Sequence, residues 1–220
     1  PAMVPGRVCH IDADFLAYQV SYEKVDEPLK TMEEMKEHAV TAATTLKDLA
    51  GAEFLHLHLT PATSDKGKRY DLAIQKEYQG NRIDKPKPRL LHIMRDWMGR
   101  HFPANLHQSS EADDGMSSMQ YDAIKAGRSQ LSIIASKDKD LRMVPGLHLD
   151  WDTGVVTGTD ALDYNEYGTV YVNDKGKIKG YGQVQFWAQM LTGDTADNIQ
   201  GLPKCAGYML NLVKPAAEIN

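Results

Sequence analysis

Five short segments of this chain carry acidic groups able to do chemistry: Asp12 with Asp14, Asp65, Glu111 with Asp113 and Asp114, Asp138 with Asp140, and Asp194 with Asp197. Taken one at a time, each has an ordinary explanation. Asp12 suits a turn and Asp65 a solvated loop, while Glu111, Asp113 and Asp114 favour a helix N-terminus through its dipole. Asp138 and Asp140 alternate with Lys137 and Lys139 as an exposed charge run does, and Asp194 and Asp197 suit a turn and a cap. Taken together they suggest a hard-cation site, because Mg2+ and Mn2+ are bound by several carboxylate oxygens. Two such ions roughly 3.5–4 Å apart suit phosphodiester cleavage, one activating water and the other steadying the leaving oxygen. No His/Cys spacing points to zinc. His56 and His58 share one face of a strand and read as packing residues.

The elements that must position these acids follow from periodicity. Arg7 to Phe15 reads as a first buried strand, and Phe54 to Thr60 alternates as a strand should. Thr31 with Glu34 forms a capping box opening a helix whose inward face is Met35, Ala39, Ala42, Leu46 and Leu49, ended by Gly51. Residues 65–88 are polar, basic and proline-bearing, hence loop with one short helix; Arg89 to His101 has helical spacing. Ser110 with Asp113 predicts a second capping box, starting a helix to Ala126 with Met116, Met119 and Ala123 inward and Gly127 as its stop. Leu131 to Ser136 and Leu147 to Trp151 read as strands, 168–180 as a hairpin turning at Asn173-Asp-Lys-Gly176, and Val184 to Leu191 as a helix. Strands alternating with helices imply an α/β fold with a mainly parallel central sheet flanked by helices. In such a sheet ligands bind beyond the carboxyl ends of the strands, where Asp12, Asp138 and Asp140 are predicted to fall.

Bulk properties fit a soluble, globular protein. Of 220 residues, 42 % are hydrophobic and 25 % charged, and no stretch approaches the length of a membrane span. The start has no basic and apolar signal pattern, and Cys9 and Cys205 lie far apart without a motif, so a reducing, cytoplasmic setting is expected. The net charge is −5, yet residues 66–100 hold ten Lys/Arg against four acids. A basic segment beside acidic clusters suits a protein that grips phosphates while concentrating cations, and equally a solvated charged face.

The order IDADFLAY (11–18), DKGK (65–68), EYQGNR (77–82), EADD (111–114), SKDKDL (136–141) and GDTADNIQGLP (193–203) resembles the 5′-nuclease superfamily. That superfamily contains flap endonucleases, bacteriophage 5′→3′ exonucleases and the nuclease domain of bacterial repair polymerases. The last three motifs in that order are the specific part. The resemblance implies a PIN-like 5′-nuclease fold with a nuclease core over 1–192, a basic arch or clamp over 66–100, a β-hairpin insertion, and the start of a helix-hairpin-helix over 193–220, truncated or atypical. It implies a metal-dependent exonuclease or flap endonuclease acting on DNA 5′ ends, flaps, duplex or RNA/DNA hybrid, in a bacterial or phage-infected cell. Asp12, Asp65, Glu111, Asp113 and Asp114 would hold a first Mg2+. Asp140, Asp194 and Asp197 would hold a second, with Asp138 at or near the boundary, Mn2+ substituting, and K+ at the helix-hairpin-helix. Arg82, Lys68 and Asp138 would act in catalysis. Tyr78 would stack on a terminal base, and Gln79, Lys66, Lys85, Lys87 and Gly201 would contact substrate.

Three departures stand out: Gln79 replaces the Lys usual after that Tyr, only 28 residues separate Arg82 from Glu111, and Tyr208-Met-Leu does not continue the Gly-rich hairpin. Two alternatives stay open. A haloacid-dehalogenase-type phosphatase would use Asp12 as nucleophile and Asp14 as acid, and a PIN-type ribonuclease would share fold and pocket but act on RNA.

Overall fold

The structure is a computed structural model that describes residues 1–74, 76–80, 86–158, 168–213 and 215. The chain divides into two compact units, one formed by Pro1–Lys68, Pro86–Lys137 and Gly146–Leu162, the other by Arg69–Lys85, Asp138–Pro145 and Asp163–Asn220.

The first unit is built on six strands: β1 (Val4–Asp12), β2 (Ala52–Leu59), β3 (Ala104–Leu106), β4 (Ser132–Ala135), β5 (Leu147–Leu149) and β6 (Val156–Gly158). Their order is β3-β2-β1-β4-β5-β6. All neighbours are parallel except β5 and β6. The chain lays strands outward from β1 to β3, then returns to place β4 on the other side of β1. That reversal is a topological switch point between β1 and β4, the place where open α/β sheets bind ligands beyond the strands' carboxyl ends. Asp12 ends β1, and Ser136 directly follows β4.

Four helices cover the sheet: α1 (Ala13–Ser21), α2 (Met32–Leu49), α4 (Leu91–His101) and α5 (Ala112–Lys125). The short α3 (Arg69–Leu72) falls in the other unit. Alternation along the strands gives the sheet two unlike faces. Cys9 and Ile11 of β1, Leu57 and Leu59 of β2, and Ile133 and Ala135 of β4 join one apolar cluster with Leu16, Met35, Leu46, Met94 and Met98 from α1, α2 and α4. The alternate positions put His10, His56, His58 and Ser132 beside Ile134, a mixed face that packs against α5.

Burying polar groups demands partners, and several here pair with one another, although His56 Nε2 is buried without a hydrogen bond among the described residues. Ser132 Oγ donates to Gln120 Oε1 at 2.9 Å, and Gln120 Nε2 donates to the Leu147 carbonyl at 2.9 Å. Three imidazoles form a chain: His10 Nδ1 lies 3.1 Å from His58 Nε2, and His58 Nδ1 lies 3.0 Å from His107 Nε2. Parallel register builds it, setting His10 opposite His56 and Asp12 opposite His58. Burial, reinforced by the neighbouring imidazoles, lowers His58 to about 2 and His10 to about 4, so both are neutral at pH 7.

The helix above makes room for the last imidazole. A Cβ at Gly115 would stand 2.0 Å from Cε1 of His107. Gly115→Ala is therefore expected to destabilise the protein by about 1–3 kcal/mol through overpacking, although Ala is the better helix former. Urea denaturation measures it, and an unchanged or raised midpoint would contradict this packing.

Several sequence expectations are corrected. The first strand ends at Asp12 rather than Phe15, because Asp12 caps a helix whose Ala13, Leu16, Ala17 and Val20 recur at helical spacing and are buried. The N-cap of α5 is Glu111 rather than Ser110, with Asp114 accepting the Glu111 N–H at 2.9 Å. Its inward face is Ala112, Met116, Gln120 and Ile124; Met119 is exposed. On the mixed face it covers, Gln120 bonds Ser132. The Thr31–Glu34 capping box of α2 is as predicted.

The second unit holds β7 (Thr169–Val172) and β8 (Ile178–Tyr181), α6 (Gly182–Thr192), a two-residue ladder of β9 (Gly193–Asp194) and β10 (Ile199–Gln200), and α7 (Cys205–Leu212). The β7–β8 turn is the predicted one, with Asn173 Oδ1 accepting the Lys175 and Lys177 N–H groups. Helices α6 and α7 flank the β9–β10 hairpin and pack on each other. Among the described residues no helix is long and apolar enough to cross a membrane.

Candidate functional site

In the first unit, Asp12 ends β1 and Glu111, Asp113 and Asp114 stand at the start of α5, and among the described residues their ligand oxygens do not form a group within 4.8 Å of one another. Asp12 Oδ1 accepts the Phe15 N–H at 3.0 Å, and its Oδ2 accepts the Ser136 hydroxyl at 2.8 Å, so both oxygens are aimed by the fold. Asp65 lies on an exposed loop, its Oδ1 accepting the Gly67 N–H at 3.0 Å. That loop is tied to the approach of α5: the Asp65 N–H donates to the Gln108 carbonyl and Ser64 Oγ to the Ser110 carbonyl. Lys66 Nζ stands 3.5 Å from Glu111 Oε1. Glu111, Asp113 and Asp114 occupy the N-cap and first turn of α5, where its dipole favours negative charge. Asp14 is engaged otherwise. Its Oδ2 accepts the Thr60 N–H at 3.1 Å, and Oδ1 lies 3.1 Å from Arg95 Nε in an ion pair too poorly aligned for a hydrogen bond. It joins α4 to the end of β2, which disfavours the phosphatase reading that needs Asp14 as an acid.

In the second unit, Asp140, Asp194 and Asp197 each offer one carboxylate oxygen, all within 4.8 Å of one another. Asp140 opens the 3-10 turn Asp140–Met143, held against α6 through buried Leu141. Its N–H donates to Asp138 Oδ1 at 2.8 Å. Asp194 is placed by the end of α6. Gly193 adopts φ +81°, and a Cβ there would stand 2.2 Å from the Gly201 nitrogen, so only glycine lets the chain leave the helix and pair β9 with β10 this closely. Asp194 Oδ1 then accepts the Ala196 N–H at 2.8 Å. Asp197 sits in the turn of that ladder. Its carbonyl accepts the Gln79 N–H, its Oδ1 accepts Gln79 Nε2 at 3.2 Å, and the Tyr78 hydroxyl lies 3.5 Å from Oδ2.

The electrostatics of this group are uneven. Burial would raise the Asp194 carboxyl, 5 % exposed, but the Lys139 ammonium and the Ala196 N–H hold it below the usual carboxylate value. Asp138 reaches solvent on one side. Even so, lost hydration on the others raises it, with Asp140 and Asp197 adding repulsion against the pull of the Asp140 N–H and Lys139.

The other expected site residues are placed as follows. Tyr78 is 6 % exposed, in edge contact with Tyr70, and its hydroxyl lies 3.5 Å from Asp197 Oδ2. Gln79, expected at the substrate, has its amide on Asp197 and on the Tyr78 hydroxyl. Gly201 is packed against Thr192 and Gly193. Lys68 and Lys87 are exposed. Arg82 and Lys85 lie outside the described residues. Two residues that sequence reasoning left out belong to the second cluster: Lys139 and Gln189 both contact Asp140 and Asp194. Gln189 carries no sequence signal beyond its place five residues before Asp194.

No protein-family model and no curated protein matches the chain. Among solved structures it is similar to the bacteriophage T5 D15 protein co-crystallised with metal ions, at 15 % identity and TM-score 0.59, covering 94 % of this chain and 74 % of that one. It is similar to the T5 flap endonuclease in a pseudo-enzyme–product complex with DNA and metal ions, at 12 % identity and TM-score 0.55, covering 93 % and 75 %. A T5 5′-exonuclease mutant gives 13 % identity and TM-score 0.50, covering 93 % and 72 %. The chain has the fold of these nucleases.

Proposed function

We propose that this protein is a divalent-metal-dependent 5′-nuclease hydrolysing DNA phosphodiester bonds, as an exonuclease or at flaps. The observation that carries the reading is the convergence of Asp140, Asp194 and Asp197, from segments far apart in sequence, to within 4.8 Å. It occurs on the fold of nucleases whose structures contain metal ions and DNA. The donor set fits the proposed ion: all-carboxylate oxygen ligands suit Mg2+ or Mn2+ and not zinc.

In this reading Asp140, Asp194 and Asp197, with Asp138 beside them, hold one ion, and Asp12, Asp65, Glu111, Asp113 and Asp114 hold another. The ions supply Lewis acidity toward the phosphoryl oxygens and a lowered pKa for water. The rest of the work falls to the chain. Ser136 and the Phe15 N–H fix the Asp12 oxygens. Tyr78 and Gln79 hold Asp197, so the Gln found where the family has Lys acts here as a ligand-positioning group. Lys68 and Lys87, both exposed, are free to meet the DNA backbone, and Arg82 is the further basic candidate at the scissile phosphate.

The test uses 5′-labelled duplex, flap and single-stranded DNA with an RNA control, in Mg2+, Mn2+ or EDTA. Short 5′-end products from DNA, lost in EDTA, are expected. Preferential RNA cleavage would favour the PIN-type reading, and cleavage undiminished by EDTA would sink the metal mechanism.

A further inference from the structure

Lys139 looks, in sequence, like one unit of an alternating charge run. In the structure its Nζ lies 2.9 Å from Asp140 Oδ1 and 2.8 Å from Asp194 Oδ2. Gln189 Nε2 donates to the same two oxygens, at 3.1 and 2.5 Å. One ammonium and one carboxamide thus brace two carboxylates that would otherwise repel, and one of those acids, Asp194, is buried. The Gln189 amide pays for this arrangement, since its Oε1 is buried without a hydrogen-bond partner. A buried acceptor left bare is costly, so the side chain is placed for its donor.

The acids that Lys139 neutralises are two of the three whose oxygens converge as ligands. A divalent ion draws carboxylate oxygens to itself at about 2.0–2.1 Å for Mg2+. An ammonium already on those oxygens competes for the same lone pairs and repels the arriving charge. We propose that Lys139 is a resident counter-cation of this cluster. It balances Asp140 and Asp194 while no divalent ion is bound and must release them when one binds, and Gln189 keeps the two carboxylates in register in both states. The inference rests on the metal-binding reading given above.

The side chain is built for such an exchange. A lysine carries its charge on a flexible four-carbon stem, and the Lys139 side chain is 36 % exposed, which gives the displaced ammonium a route to solvent. Removing the charge acts on affinity from two directions. The competitor is lost, and the metal-free protein is left with two close carboxylates, one of them buried, whose repulsion a bound ion relieves.

The experiment is a Mn2+ titration of the full chain by calorimetry, with thermal melts at each metal concentration, on the wild type, Lys139→Met, Lys139→Arg and Asp194→Asn. The binding event that Asp194→Asn removes identifies the cluster. At that event Lys139→Met is expected to bind Mn2+ at least about tenfold more tightly, with a larger rise in Tm on adding metal. Lys139→Arg, which keeps the charge, is expected to stay within about threefold of wild type. Unchanged or weakened affinity in Lys139→Met overturns the counter-cation. If wild type shows no event that Asp194→Asn removes, the metal reading itself falls, a distinguishable result. Should Lys139→Met fail to fold, acetylation of Lys139 in the wild type decides: faster labelling with Mn2+ supports displacement, and equal or slower labelling overturns it.

Discussion

Asp194→Asn is expected to lower metal-dependent DNA cleavage by about 10³-fold or more while leaving the protein folded. The size follows from what the substitution removes. Metal stabilisation of transition-state charge contributes several kcal/mol, and each 1.36 kcal/mol is tenfold in rate. Asn keeps the shape of the side chain and one oxygen but gives up the charge that an ion would need. Asp194 is the most buried acid of its cluster and the one with most of its position fixed, by Gly193, by the Ala196 N–H and by Lys139. Fold retention is expected because Lys139 keeps Asp140 as a partner, and the turn N–H can still bond the Asn oxygen. Circular dichroism checks the fold and single-turnover cleavage the rate. A loss below about tenfold would show that Asp194 is a turn residue and not a ligand.

The second large effect concerns stability against pH. His10 and His58 are neutral in the folded protein, lowered by burial to about 4 and about 2 from 6.5. The unfolded chain binds protons at these two sites as pH falls through 6.5, and the folded chain does not. Stability therefore rises with pH across this window; it is fully present above pH 6.5 and is lost as pH falls below it toward the folded values. With up to 1.36 kcal/mol per group per pH unit, the two together remove about 4 kcal/mol between pH 7 and 5, a large share of a typical 5–15 kcal/mol. Urea midpoints measured from pH 7 to 5 should fall accordingly. Replacing both with Leu should flatten the slope whatever it does to stability at pH 7. An equally steep slope in the double variant would assign the acid sensitivity to other groups.

The sequence speaks clearly where local pattern decides structure. The capping box of α2, the alternation of β2 and the Asn173–Gly176 turn follow from short-range rules and hold. So does the placing of acids at strand ends: Asp12 ends β1 beside the switch point. What could not be read locally depends on register and on contacts across sequence distance. His10 reads as one polar residue in a strand. Only the parallel pairing that sets it opposite His56 makes a three-imidazole chain, and only Gly115 lets α5 close over its end. Lys139 alternates with two acids and looks solvated until the fold brings Asp194 to its other side. The burial of Tyr78 and its hydroxyl at Asp197 likewise depend on a contact across sequence distance that local pattern does not show. In α5 it is Gln120, not Met119, that is buried, and its bond to Ser132 of β4 could not be read from periodicity alone.

The central claim is that carboxylates of this chain, foremost Asp140, Asp194 and Asp197, bind divalent ions on which DNA cleavage depends. Equilibrium dialysis with Mn2+ tests it most directly, comparing wild type with Asp12→Asn and Asp194→Asn, each checked for folding and assayed on 5′-labelled DNA. The account predicts two ions per wild-type chain, one in each variant, and cleavage lost in both. A wild type that binds no Mn2+, or an Asp194→Asn protein that still holds two ions and still cuts, would contradict it.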